Sequence, residues 1–266
     1  MQADMKITII GAGSIGGAVA FGLKKAGLTD LTVTARHRKT LEKFEAAGIK
    51  TVLCGKETAL SNKEAAEGAD IVIFAVKPWQ MEAVMKETLA GGPAEGRITV
   101  SMAPGVTPEQ LLGWAPEGEA IAYVIPNTAA EVGESMTFIS AVSASPAQIK
   151  TLEELFGRIG GVLTVAPDKL RAGVALASCG IAYALRYIRA ASEGGVELGF
   201  FAEDSAAVVA QTVKGAAAIL KAHGSHPEQE IDKVTTPGGM TIKGLNAMEE
   251  AGFTTSVIKG LKGCLE

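Results

Sequence analysis

Over the first 165 residues, short β-branched apolar runs alternate with stretches whose apolar positions recur at helical spacing. Strands are predicted at Lys6 to Ile10, Leu31 to Thr34, Lys50 to Leu53, Ile71 to Val76, Ile98 to Ser101, Ala120 to Ile125, Met136 to Ala141 and Val162 to Val165. Helices are predicted at Ser14 to Ala26, Lys39 to Ala47 and Gln80 to Leu89, and from Ser145, a cap followed by Pro146 at the first helical position. Such alternation implies an α/β fold with a Rossmann-type, doubly wound, mainly parallel sheet. After Val165 the strand signal stops. Leu170, Val174, Ala177, Ile181, Leu185 and Ile188 mark one long helix, and Glu203 to Lys221 a second that Gly224 is placed to stop. Shorter helices are expected near Thr241 to Ala251 and Thr255 to Leu265. The expected domains are therefore 1–165, nucleotide-binding, and 166–266, all-helical, with the boundary near Val165 to Asp168.

One stretch does not belong in a helical region. "VTTPGGMT", residues 234 to 241, sets proline and two glycines between helix candidates, the worst residues for a helix interior. Either it is a capping turn with Thr236 as N-cap, or its glycines serve a ligand.

Composition narrows the partners. The 266 residues are 47% hydrophobic, enough for a full core, and the formal charge of −4 supplies no basic footprint for nucleic acid. Three cysteines without CxxC pairing fit a reducing cytoplasm. "AGVALASCGIAYAL" (172 to 185) is too short to cross a bilayer, so no membrane segment is expected. "MKITII" reads as a first strand, since a glycine-rich turn follows it in place of a cleavage site.

"IIGAGSIGGAV" sets Gly11, Gly13 and Gly16 in the G-x-G-x-x-G spacing, with Ser14 and Ile15 between, after a strand and at a helix start. The first glycine permits a tight turn, the second admits a pyrophosphate, and the third lets helix and strand pack closely. At the end of the second strand no acid awaits a ribose hydroxyl; Arg36, His37, Arg38 and Lys39 stand there. NADP(H) is favoured, with NAD(H) as the second option; the bland alternative is a solvated basic helix start. The fourth strand should deliver Ala75, Val76, Lys77 and Pro78 to the carboxyl edge. "SMAPG" brings Ala103 and Gly105 there, and "IPNT" brings Asn127, to line the nicotinamide half.

Conventional acid–base machinery is sparse. The only histidines are His37, His223 and His226, and no metal site is expected. Reduction of a C=N bond suits such a chain, because a protonated imine needs positioning more than proton transfer.

"GAGSIGGA", "NKEAAEGADIVIFAVKP" (62 to 78), "PNT" (126 to 128), "EGGVELG" (193 to 199), "HPEQEIDKVTTPGGMTIKGL" (226 to 245) and "EEAGF" (249 to 253) together resemble the pyrroline-5-carboxylate reductases along nearly the whole chain. The resemblance implies reduction of a cyclic imino acid to proline by NAD(P)H. It also implies a homodimer through the helical domain, with larger rings as a further level of assembly. In that reading Gly238, Gly239 and Met240 offer backbone amides to the substrate carboxylate, Thr236 and Thr241 add hydroxyls, and Thr241, the catalytic candidate, bonds the ring nitrogen. Asn62 and Arg36 to Arg38 serve the adenosine end. Departures from the family pattern are Tyr123 where arginine is usual, Pro104 in "APG", and Ile181 for proline in "SCGIAY", which should straighten the first long helix. They keep open a reductase of another cyclic imine or a keto acid, beside a non-catalytic nucleotide-binding scaffold. A 3-hydroxyacid dehydrogenase would need a lysine base, and Lys169 lacks the supporting asparagine.

Overall fold

The computed structural model describes residues 5–55 and 61–266. Eight strands, β1 (Ile7–Ile10), β2 (Leu31–Ala35), β3 (Lys50–Leu53), β4 (Ile71–Phe74), β5 (Ile98–Ser101), β6 (Ala120–Ile125), β7 (Ser135–Ala141) and β8 (Gly160–Thr164), form one sheet in the order β3-β2-β1-β4-β5-β6-β7-β8. Every neighbouring pair is parallel except β6 with β7. Six helices belong to this sheet: α1 (Ser14–Lys25), α2 (Arg38–Ala46), α3 (Asn62–Ala66), α4 (Pro78–Thr88), α5 (Pro108–Trp114) and α6 (Pro146–Phe156).

The apolar strands explain the two covered faces. Ile7, Ile9, Ile71, Ile73 and Val100 pack with Leu23, Phe44 and Phe156 from α1, α2 and α6. Ile10, Val72, Phe74 and Ile121 pack with Met81, Met85 and Leu111 from α4 and α5. Continuous apolar runs, rather than alternating ones, are what a sheet buried on both faces requires. Because β1 lies between β2 and β4, the chain leaves the carboxyl ends of β1 and β4 toward opposite faces, and that divergence opens a crevice.

The chain divides into two compact units between Ser178 and Cys179. This lies beyond the boundary expected near Val165 to Asp168, because the turns after β8 dock on the first unit. α7 (Leu170–Gly173) presses on Phe138, whose ring would stand 2.9 Å from a Cβ at Gly173. Asn127 Nδ2 donates to the Ala177 carbonyl at 3.3 Å, and Ser178 Oγ to the Pro126 carbonyl at 3.4 Å. The first long helix is also not the regular one expected. Val174–Cys179 is a π-helical stretch, and only from Gly180 does regular α8 (Gly180–Glu197) run on, so Ile181 follows a widened turn rather than a straightened one.

The second unit continues with α9 (Ala202–His223), ended by Gly224 at φ +61°, α10 (Pro227–Lys233), α11 (Met240–Glu250) and α12 (Phe253–Gly263). α8 and α9 meet where Gly195 would place a Cβ 2.1 Å from Ser205 Oγ, which donates to the Ser192 carbonyl. Leu185, Leu198, Phe201, Val208 and Ile258 are more than half exposed in the single chain. Among the described residues no helix is long and apolar enough to cross a membrane.

Two stability predictions follow from local contacts. A Cβ at Gly22 would sit 2.1 Å from the backbone oxygen of Ala130, so Gly22→Ala should cost about 1–3 kcal/mol despite alanine's better helix propensity, read as a lower urea midpoint. Glu230 accepts from Lys233 Nζ (2.8 Å) and Ser225 Oγ (2.6 Å) and lies 3.2 Å from His223 Nδ1; these contacts hold its carboxyl down at about 2, against an ordinary 4.5. A depressed carboxyl stabilises the fold above its unfolded value and loses that contribution as pH falls toward its folded one. Between pH 4.5 and 2, wild type should therefore lose stability more steeply than Glu230→Gln in an acid-unfolding series.

Candidate functional site

A cavity of about 640 Å³ occupies the crevice of the first unit. Its floor is the glycine turn after β1. Gly11 has φ +106°, and a Cβ there would stand 2.9 Å from the Ala75 carbonyl oxygen; a Cβ on Gly16 would stand 2.1 Å from that of Gly11. Any side chain at either position would therefore push β1, α1 and the end of β4 apart. Gly13 is different: nothing lies within 4 Å of where its Cβ would be. It is the N-cap of α1, which has neither a side-chain cap nor an acid in its first turn. The first amides of α1 therefore point from a bare helix end into an open cradle, the geometry that receives a diphosphate.

Two further uncapped helix starts repeat this arrangement. His37 is the N-cap of α2 and Lys77 that of α4, neither makes a side-chain cap bond, and both line the cavity. In contrast α3, α5 and α6 open on complete capping boxes, Ser61 with Glu64, Thr107 with Gln110 and Ser145 with Gln148. Three helices whose N-cap residues line the cavity, α1, α2 and α4, thus leave their amides to a ligand, whereas α3, which begins at the cavity with Asn62, is capped by Ser61.

Of the residues singled out for a cofactor, Gly11, Gly13, Ser14, Ile15, Arg36, His37, Asn62, Ala75, Val76, Lys77, Pro78 and Ala103 line this one cavity. Four do not. Gly16 lies behind the turn, Gly105 (φ +92°) forms the bend after Pro104, and Arg38 is drawn to Glu45 at 2.9 Å. Asn127 is buried, accepting at Oδ1 from the Ala129 amide while Nδ2 reaches Ala177, so it ties two chain segments together.

Tyr123, which raised doubt about the substrate, does not line the cavity. It is 3% exposed, packed in the core beneath α4 and α5, and its hydroxyl donates to the Val106 carbonyl. Burial, reinforced by the Glu109 charge, pushes its ionisation up to about 12, so it stays a neutral donor. It braces the segment after β5 from which Met102, Ala103 and Pro104 reach the cavity. Residues not anticipated also line it: Thr34, Thr40, Cys54, Gln80, Val84 and Met102. Cys54 follows β3, and parallel pairing of β3 with β2 brings it to the same edge as Arg36. Burial, then the charges of Glu87 and Glu64, push its thiol up to about 11, which leaves it a neutral wall.

In the second unit "TPGG" forms a tight turn. The Gly239 amide donates to the Thr236 carbonyl at 2.9 Å across Pro237 and Gly238, the latter at φ +70°. Proline then a left-handed glycine is the signature of a type II turn. The N-cap of α11 is Gly239, not Thr236, and again no side chain caps it. A Cβ at Gly239 would meet Thr236 Oγ1 at 2.4 Å and the Thr236 carbonyl oxygen at 3.0 Å, so a side chain there would have to turn the threonine hydroxyl away. Met240 is 91% exposed, and the Thr236 and Thr241 hydroxyls make no hydrogen bond among the described residues. The histidines have local structural partners: His226 Nδ1 accepts from the Glu228 amide to cap α10, and His223 lies against Glu230.

Residues 167–266 match a family model described as pyrroline-5-carboxylate reductase dimerisation, and residues 6–105 one described as NADP oxidoreductase, coenzyme F420-dependent. Pyrroline-5-carboxylate reductase 2 of Dictyostelium discoideum is 33% identical over 276 residues, spanning 98% of this chain and 91% of the relative. The chain belongs to the pyrroline-5-carboxylate reductase family. Pyrroline-5-carboxylate reductase 1 of the same organism is 34% identical over 97% of this chain, which spans 48% of that longer protein. A solved structure of a pyrroline-5-carboxylate reductase from Coxiella burnetii, 28% identical, superposes with a TM-score of 0.85 over 97% of this chain and 95% of its own.

The Tyr123 brace yields a direct test. Tyr123→Phe removes the side-chain donor to the carbonyl of buried Val106, and should cost about 1–3 kcal/mol in chemical denaturation.

Proposed function

We propose that this reductase converts L-1-pyrroline-5-carboxylate to L-proline with NADPH, the last step of proline formation, and that the uncapped starts of α1 and α11 divide the binding of cofactor diphosphate and substrate carboxylate. The observation carrying this reading is the turn at Thr236 to Gly239, whose geometry frees the first amides of α11 for an anion. The cavity of the first unit fits the cofactor: Gly13 leaves room for the diphosphate, and Arg36 and His37 stand at the end of β2 for a 2′-phosphate. When bound, NADPH supplies a hydride to the imine carbon. The protein's part is to bind and orient. Amides of Met240 and Thr241 at the start of α11 hold the carboxylate, while the Gly239 amide, already given to the Thr236 carbonyl, closes the turn with Gly238 and Thr236 forms its rim. The Thr241 hydroxyl bonds the ring nitrogen, fixing which carbon faces the hydride. A ring already protonated at nitrogen becomes the secondary amine on gaining hydride, so no strong base is required.

The chain acts as a homodimer, in keeping with the dimerisation family model and with Leu198 and Phe201, each 83% exposed in the single chain. Stacking of dimers into rings, and a reducing, cytoplasmic setting for the three free cysteines, complete the proposal.

Purified protein should oxidise NADPH on addition of pyrroline-5-carboxylate, followed by absorbance; no turnover above blank would sink the reading. Arg36→Ala should weaken NADPH about 10- to 100-fold, the worth of a charge-assisted contact, while changing NADH affinity less than about threefold. Equal losses for the two nucleotides would remove Arg36 from the 2′-phosphate.

A further inference from the structure

Asn62, the first residue of α3, lines the cofactor cavity and is gripped from two sides. Its Oδ1 accepts from Thr34 Oγ1 on β2 at 2.9 Å. Its backbone amide and Nδ2 both donate to the Glu87 carboxylate on α4, at 2.9 and 3.1 Å. Glu87 itself is not part of the cavity wall. Three separate elements, β2, α3 and α4, thus converge on one side-chain amide.

The chemistry of these partners is asymmetric. A threonine hydroxyl can donate or accept, so Thr34 alone would tolerate either orientation of the amide. A carboxylate only accepts, so it demands Nδ2 on its side; Thr34 must then donate to Oδ1. Each amide atom keeps one bonding position without a partner among the described residues, an Nδ2 hydrogen and an Oδ1 lone pair.

We propose that Glu87 is a positioning residue: by holding the Asn62 amide in a single orientation it fixes the donor and acceptor offered to the adenosine end of NADP(H). The proposal rests on the cofactor reading above. A purely structural role is the competing explanation, since Glu87 also satisfies the free backbone amide at the start of α3. The two differ in what a glutamine does. Glutamine at 87 can still accept from the backbone amide, but it presents both a donor and an acceptor, so both orientations of Asn62 become allowed.

The test is equilibrium binding of 2′,5′-ADP, which carries only the adenosine half, and of NADPH, to the intact protein. Glu87→Gln should weaken both ligands by the same factor, about three- to tenfold, the worth of one ordered polar side chain. Asn62→Ala should weaken both as well, and adding Glu87→Gln to Asn62→Ala should bring no further loss. Thr34→Val should weaken both probes, and Thr34→Ser should restore them, which a merely structural role would not require. Unchanged or tighter binding by Glu87→Gln would overturn the proposal, as would a Glu87 effect that persists undiminished without the Asn62 amide. Failure of the wild type to bind 2′,5′-ADP would instead overturn the cofactor reading together with the inference, and so separates the two.

Discussion

A helix start leaves amides that something must satisfy, and this protein divides its helices by what does so. In the first unit α3, α5 and α6 satisfy theirs with their own side chains, through full capping boxes. α1, α2 and α4 do not, and their N-caps, Gly13, His37 and Lys77, share one cavity. In the second unit α11 is likewise bare at Gly239. Each bare end gives up roughly 1 kcal/mol that a side-chain cap would contribute, and a bound anion recovers it only when ligand is present.

What surrounds these ends keeps them bare and correctly spaced. Gly11 and Gly16 let backbone meet backbone so that α1 starts close to β1, and any Cβ would enlarge that gap. Tyr123 holds the Val106 carbonyl and so steadies the segment carrying Ala103 and Pro104. Asn127 and Ser178 pin the π-helical stretch to the segment after β6. None of the three braces lines the cavity; each limits how far a wall can move.

Most of the first unit was legible in the chain because its strands are written as short β-branched, largely apolar runs, interrupted mainly by threonine. All eight strands lie within two residues of expectation at either end, and the glycine turn lies between strand and helix as its spacing requires. Short α3, α5 and α10 escaped a reading based on periodicity, being too short to show a repeat, although "SNKE", "TPEQ" and "HPEQ" carry their capping signatures. The π-helical turn carries no local sequence signature, and the distant residue that donates to its Ala177 carbonyl, Asn127, stands fifty positions earlier in the chain. Asn127 was expected at the nicotinamide wall because it follows β6, and only its contacts with Ala129 and Ala177 show it tying two chain segments together. Thr34, Cys54 and Glu87 carry no local motif; parallel register and the return of α4 beside α3 bring them to the site.

On this structure the bare start of α1 is reserved for the cofactor diphosphate. Gly13→Asp tests it most directly, because the open space around Gly13 accepts a side chain and aspartate is a strong N-cap. The variant should show equal or higher thermal stability together with NADPH binding weakened at least about a hundredfold, since the new carboxylate occupies the amides and repels phosphate. A variant equally stable that binds NADPH within about threefold of wild type would contradict it.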